Sequence, residues 1–295
     1  IIVPDLDRES VRLVATCSGA AAACRVEARV KDWLFTRGKG QGKPGEEFVV
    51  KIKKPQLWSP DSPFLYDLTL TLKDDSGKKL DAVESYFGMR KIEVKKDKAG
   101  INRLWLNNEV LFQFGPLDQG WWPDGLYAAP TDAALRYDIE TLKQLGCNML
   151  RKHVKVEPAR LYYWCDKLGL MVWQDMPNGD RHIRGDQADL QRSQESAAQF
   201  ELELTRVIKA FRNHPCIVMW VPFNEGWGQY ETPRIVDLIK QHDPSRLVDN
   251  ASGWTDRGVG DVHDIHRYPG PAAPPAEENR AAVLGEFGGL GLPVK

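Results

Sequence analysis

The sequence predicts an immunoglobulin-like β-sandwich over residues 1–95, followed over residues 96–295 by an α/β domain that fits a TIM-type (β/α)8 barrel. Three observations lead there. Before residue 95 the apolar residues alternate with a period of two. Beyond about residue 100, helical stripes alternate with short apolar runs. Those runs end, one after another, in charged or amide residues.

In the first region, Arg25-Val26-Glu27-Ala28-Arg29-Val30-Lys31 alternates strictly, and so does Asp67-Leu68-Thr69-Leu70-Thr71-Leu72-Lys73. One face of each strand meets a core and the other meets water. Glu47 to Ile52 is a further strand, and Asp75-Ser76-Gly77 is a turn. In the second region, Leu135, Ile139, Leu142 and Leu145 form a helical stripe opened by Thr131 and closed by Gly146. A second helix has Pro158 in its first turn, carries Leu161, Cys165 and Leu168, and stops at Gly169. A third carries Ala197, Phe200, Leu204, Val207 and Phe211. A fourth opens at Thr232-Pro233 and ends near Asp243-Pro244. Seven apolar runs separate these helices: 110–114, 147–150, 170–173, 217–223, 246–248, 262–265 and 282–284. They lack clean alternation, as parallel strands covered on both faces do. A doubly wound open sheet is the alternative. No Gly-x-Gly-x-x-Gly opens a helix after a strand, which weakens a nucleotide-binding version of it.

Composition narrows the function. A hydrophobic fraction of 42% supports a real core, and a net charge of −1 argues against nucleic acid or an anionic membrane as partner. No apolar run approaches the roughly 20 residues of a membrane span. The opening Ile1-Ile2-Val3-Pro4-Asp5 has neither the basic region nor the apolar stretch of a signal peptide. The five cysteines are odd in number and scattered, so they are not a disulfide framework; only Cys17 and Cys24 flank a turn they could bridge. Without C-x-x-C or H-E-x-x-H, no metal and no cofactor is predicted. Compartment and oligomeric state are not assigned. Among ten tryptophans, Trp121, Trp122, Trp227 and Trp254 sit in apparent loops. Loop tryptophans in a polar pocket suit the apolar face of a sugar ring.

The strand ends carry the chemistry. The second barrel strand runs into Arg151-Lys152-His153, the third into Gln174-Asp175 and the fourth into Asn224-Glu225. The fifth reaches Asp249-Asn250, the sixth His263 and His266 with Tyr268 beyond, and the seventh Gly285-Glu286. Charged groups after buried strands are costly unless they face a cleft or a partner. Six strands ending this way point to a site at the C-terminal face. Glycoside hydrolysis needs two carboxyl groups around the scissile bond. Glu225 and Glu286 are the best pair, with ion pairs to Arg151 or Lys152 as the competing structural explanation. Asp175 is a third candidate and reads better as a hydrogen-bonding group beneath the site.

Beyond those features, Ile217-Val218-Met219-Trp220-Val221-Pro222-Phe223-Asn224-Glu225 resembles the acid/base strand of glycoside hydrolase family two, which includes β-galactosidases, β-glucuronidases and β-mannosidases. Leu284-Gly285-Glu286-Phe287-Gly288-Gly289 resembles its nucleophile strand. Arg151-Lys152-His153 and Asp166 to Asp175 are similar to its second and third strands. Leu57 to Pro63 and Tyr86 to Ile92 are similar to the end of its immunoglobulin-like domain. The resemblance implies a carbohydrate partner and hydrolysis of β-glycosides, β-galactosides slightly favoured, through a covalent glycosyl-enzyme. It implies Glu225 as acid then base, Glu286 as nucleophile, Asn224 on the sugar 2-hydroxyl, and Arg151 and Tyr268 beside the nucleophile. His153, His266, Trp227 and Trp254 would contact sugar, with Asp118, Trp121 and Trp122 along the cleft. Trp58 would be structural. Ionised Glu286 and a dry pocket are expected to raise the pKa of Glu225. No metal is required by this mechanism.

The pattern departs from the family at both ends. The chain starts after the usual sugar-binding domain and stops at Leu290-Gly291-Leu292-Pro293-Val294-Lys295, with no eighth strand or helix. An unclosed barrel and a weakly active or inactive fragment are therefore expected. A non-catalytic carbohydrate-binding homologue is the alternative, and retention of both glutamates counts against it. The polar stretch 178–189 reads as a flap or a solvated connection, and 269–280 as a cleft wall.

Overall fold

A computed structural model describes residues 1–19, 23–289 and 291. The closing stretch, on which the missing eighth unit rests, lies outside the described residues apart from Gly291.

The alternating segments form two antiparallel sheets. One contains β1 (Ile2–Asp5), β2 (Ser10–Val14) and β5 (Glu47–Lys51) in the order β1-β2-β5. The other contains β3 (Arg25–Lys31), β4 (Thr36–Gly42), β6 (Tyr66–Lys73) and β7 (Lys79–Phe87) in the order β4-β3-β6-β7. Val26, Ala28 and Val30 all point inward, and with Val11, Leu13, Val50 and Leu68 they form the sandwich core. Strand β4 can lie on β5 because its inward positions are glycines: a Cβ at Gly40 would come within 2.8 Å of a Val50 methyl. Cys17 and Cys24 are unpaired.

A small antiparallel sheet, β8 (Ile92–Lys96), β9 (Asn102–Leu106) and β10 (Glu109–Val110), follows. Its Ile92, Leu104 and Leu106 belong to the second core, so the core changes between Met89 and Ile92. Five parallel strands then form one sheet in chain order: β11 (Leu117–Asp118), β12 (Met149–Lys152), β13 (Met171–Asp175), β14 (Ile217–Val221) and β15 (Leu247–Val248). A parallel pair, β16 (Val262–Arg267) and β17 (Ala281–Phe287), completes the set. No ladder among the described residues closes these two sheets into a ring. Helices α1 (Asp132–Gln144), α2 (Ala159–Leu168), α3 (Gln194–Phe211) and α4 (Thr232–His242) lie where the periodicity predicts. The Thr131 hydroxyl accepts the Ala134 N–H as the cap of α1, and Gly169 ends α2 at φ 79°. None of the four is long and apolar enough to cross a membrane.

The first barrel strand is not 110–114. Asn107 and Asn108, at φ 54° and 68°, turn the chain so that Val110 pairs back on Trp105. That is the left-handed pair of a tight hairpin, which asparagine tolerates. Phe112 and Phe114 are left exposed, and the strand forms later, at Leu117–Asp118.

Trp58, read as a sandwich residue, is buried in the barrel's core, and its indole N–H donates to the Asp166 carbonyl at 2.8 Å. Tyr86 donates to the Asp166 carboxylate, which also accepts the Cys216 N–H. Arg90 is buried and donates to the carbonyls of Pro215, Ser245 and Ile217 at 3.0, 3.1 and 2.7 Å. These carbonyls lie at the N-terminal ends of β14 and β15, so the sandwich grips the barrel opposite the strand ends that carry the charged residues. Arg90→Met removes a buried guanidinium from all three, leaving the Ile217 carbonyl only its bond from Arg246, and is expected to cost about 2–4 kcal/mol in urea unfolding. An unchanged midpoint would mean that water replaces the guanidinium.

Candidate active site

Arg151, at the end of β12 and 2% exposed, organises the strand ends. Its Nε and Nη2 form a fork on Asp175 at 3.0 and 3.0 Å. Nη2 also donates to Asn224 Oδ1 at 2.9 Å, and Nη1 donates to Glu286 Oε1 at 3.1 Å. Burial opposes the guanidinium charge, but Asp175, Glu286 and Asp264 outweigh it and hold the proton more firmly than usual. One arginine thus ties the third, fourth and seventh strand ends to the second. Asp175 is 1% exposed, and besides Arg151 it accepts the Val154 N–H. It holds Arg151 from beneath, away from the open face where a sugar would lie.

Glu286, on β17, also accepts the Tyr268 hydroxyl at 2.5 Å. Burial and this carboxylate push the phenol's pKa upward. His153 Nε2 lies 3.6 Å from Glu286 Oε1 and 3.2 Å from the Asn224 amide nitrogen. Glu225 follows β14 in the left-handed region, φ 53°, and its N–H donates to the Ser252 carbonyl at 2.8 Å. A glutamate held there is strained, and such strain persists only where the surroundings enforce it. Gly226, at φ 82°, continues the turn because a Cβ would lie 2.3 Å from the Ile183 carbonyl oxygen.

Between the two glutamates lies His266, whose side chain has no exposed surface. Its Nδ1 is 2.9 Å from Glu225 Oε1 and 3.5 Å from Glu286 Oε2. One oxygen of each glutamate and one His266 nitrogen all lie within 4.8 Å of one another. This burial corrects the expectation that His266 touches sugar. The expected upward shift of Glu225 is also corrected. Its hydrogen bond to His266 outweighs burial, and with the charges of His266, Arg151 and His153 holds the carboxyl below its usual range. The imidazole competes for the proton that was assigned to Glu225.

Trp227, Trp254 and Tyr268 stand about half exposed at the rim. Trp227 packs on His182 at 5.1 Å, and Trp254 meets His266 edge-on at 6.2 Å. The 178–189 stretch is tied to the Glu225 loop: Ile183 N–H donates to Gly226, Gly228 N–H to Arg181, and Asp189 accepts from Thr232 and Arg257. It is a buttress for that loop, not a free flap. Lys152 and Lys155, both buried, share Glu157 at 2.9 and 2.8 Å, so neither ammonium is open to a ligand.

Among the described residues, two groupings bring histidine and carboxylate atoms close enough for a cation. In the first, His266 occupies Glu225, and Arg151 and Tyr268 occupy Glu286. In the second, Asp256, His263 and Glu277, the Arg280 guanidinium donates to both carboxylates. Protein cations and N–H groups already fill both donor sets, so they read as ion pairs.

Two family models cover most of the chain: Glycosyl hydrolases family 2 over residues 2–90, and its TIM barrel domain over residues 128–268. The chain belongs to glycosyl hydrolase family 2. It is 30% identical over 262 residues to a β-galactosidase of Lactococcus lactis, covering 88% of this chain and 25% of that protein. It is 30% identical over 205 residues to a putative β-glucuronidase of Formosa agariphila, covering 69% and 19%. The chain therefore spans between about a fifth and a quarter of the length of these curated relatives. The fold matches an FMN-binding β-glucuronidase from Facaelibacterium prausnitzii with a TM-score of 0.77 at 19% identity, over 92% of this chain and 42% of that one. Family 2 architecture, a sandwich followed by a TIM-barrel domain, is thus shown.

The family 2 barrel match ends at residue 268, so Glu286 is supported by geometry and by its local motif. Sequence reading missed Ser252 and Asp264. Asp264 was legible in principle: in Val262-His263-Asp264-Ile265-His266, alternate residues 262, 264 and 266 are buried, placing Asp264 on the inner face with His266. His263 faces the other way and pairs with Glu277 at 2.8 Å.

Proposed function

We propose that this family 2 chain carries the catalytic apparatus of a retaining β-glycosidase, with Glu286 as nucleophile and Glu225 as acid/base. The observation that carries this reading is the spacing of the two glutamates, whose nearest oxygens lie within 4.8 Å. Retaining enzymes hold their carboxyl groups about 5–5.5 Å apart, whereas inverting ones leave about 6.5–9.5 Å for a water. Glu286 would attack the anomeric carbon from its position between Arg151 and Tyr268. Glu225 would protonate the departing oxygen, then remove a proton from the water that releases the sugar. Asn224, fixed by Arg151, would hold the sugar 2-hydroxyl, and Trp227 and Trp254 would pack on sugar rings. The substrate is a β-glycoside, with a β-galactoside favoured over a β-glucuronide because seven of eight similar curated proteins bear that name and one is a putative β-glucuronidase.

The test is trapping. A 2-deoxy-2-fluoro glycosyl fluoride slows release of the covalent sugar more than its formation. Incubation should add one sugar mass to the peptide containing Glu286. Labelling of a different carboxylate would reassign the nucleophile, and inversion of product configuration would refute double displacement.

A further inference from the structure

We propose that in the free enzyme the acid/base proton rests on His266, and that Ser252 and Asp264 fix this imidazole so that it hands the proton to Glu225. His266 is then a positioning residue of the reaction, and the inference rests on the retaining reading above. The geometry is a single line of donors. His266 Nδ1 lies 2.9 Å from Glu225 Oε1, and on the other side Nε2 lies 2.7 Å from the Ser252 hydroxyl. That hydroxyl donates to Asp264, which also accepts the Gly285 N–H. A Cβ at Gly285 would overlap Asp264 Oδ2 at 2.1 Å, so β17 lies directly against this carboxylate. The ring has no exposed surface and cannot exchange its proton freely with water.

Every element around the ring contributes charge. Glu225 comes from the loop after β14, Glu286 from β17, and Asp264 and Tyr268 from β16 and its end. Arg151 comes from β12, its Nη1 3.4 Å from Nε2, with His153 beside Glu286. Asp249, at the end of β15, is wholly buried beside Asp264, and burial together with the charge of Asp264 pushes its carboxyl far up. Burial presses the proton off His266. Asp264, 3.7 Å from Nε2, the hydrogen-bonded Glu225 and the charge of Glu286 outweigh it and lift the imidazolium to about 9.

The cycle balances. His266 passes the Nδ1 proton to the Glu225 carboxylate, and Glu225 passes it to the glycosidic oxygen as that bond to C1 breaks and the Glu286–C1 bond forms. A water then bonds to C1 as Glu286 leaves, and the water's proton goes to Glu225 and back to His266. No other oxidant, reductant or acid is needed.

Two measurements test this. The first is an imidazole ¹⁵N titration of the chain, with the His266 signal identified by its loss in His266→Gln. His266 should stay protonated well above the roughly 6.5 of a free histidine, and lose that proton at lower pH in Glu225→Gln. Titration at or below the ordinary value overturns the proposal whether or not the chain turns over. The second compares wild type, His266→Gln and Asp264→Asn on a phenyl and a dinitrophenyl β-glycoside. His266→Gln should lose roughly 10²-fold or more on the phenyl compound, whose leaving group needs a proton, and much less on the other. Its alkaline limb of kcat/KM should move to lower pH, and Asp264→Asn should move it the same way. Equal losses on both substrates with an unmoved limb would make His266 merely structural. If the wild-type chain shows no turnover, the titration alone decides where the proton rests, and the trapping experiment decides the glycosidase reading.

Discussion

Glu286→Gln is expected to lower kcat on an aryl β-glycoside by about five orders of magnitude while leaving the chain folded. The size follows from the step it removes: an amide cannot form the glycosyl ester, and loss of an activated nucleophile costs on that scale in other covalent enzymes. The fold should survive because the amide oxygen can still accept from Arg151 while its NH2 group donates to the Tyr268 oxygen, and Arg151 keeps its fork on Asp175 at 3.0 Å. Glu225→Gln should cost less, roughly 10²–10⁴-fold, because it removes proton transfer alone. It should also depend on the leaving group: dinitrophenyl glycosides, which depart without an acid, would form the covalent intermediate and then stall. Steady-state kinetics with a burst measurement separates the two. Activity of Glu286→Gln within tenfold of wild type would place the nucleophile elsewhere.

Features that depend on neighbours in the chain were legible beforehand; those that depend on distant packing were not. The helices were legible because Leu135 and Ile139, or Phe200 and Leu204, repeat with the helical period beside local caps such as Thr131 and Gly169. The strand ends were legible because buried parallel strands make any following charge conspicuous. The first barrel strand was misplaced because its apolar run, Val110 to Phe114, outweighed the Asn107-Asn108 turn. Trp58 and Arg90 look like ordinary sandwich residues, and their partners lie 108 or more positions away. The role of His266 was illegible for a similar reason: its neighbours Glu225, Ser252 and Glu286 come from three other segments. Only their assembly shows that the histidine, rather than Glu286, has the larger effect on the Glu225 proton.

Arg151→Met is expected to remove both activity and a large part of the stability, about 3–5 kcal/mol in urea unfolding. The substitution takes away a guanidinium with four side-chain hydrogen bonds to three partners and leaves Asp175, 1% exposed, without its counter-charge and Glu286, 7% exposed, with His266 at 3.5 Å as its remaining cationic neighbour. An isolated carboxylate in that setting is far costlier than a satisfied pair. Arg151→Lys should fall between, because an ammonium restores the charge but cannot fork onto Asp175 while reaching Asn224 and Glu286. The double variant Arg151→Met with Asp175→Asn separates stability from chemistry. Neutralising Asp175 removes most of the uncompensated charge, so stability should recover by more than the sum of the single effects allows. Activity should not recover, because Asn224 and Glu286 would still lack the group that orients them. If the double variant regained turnover, Arg151 would act only as a counter-ion to Asp175. If Arg151→Met unfolded at the wild-type midpoint, water must already reach these carboxylates, and the buried cluster would contribute little to holding the barrel strands together.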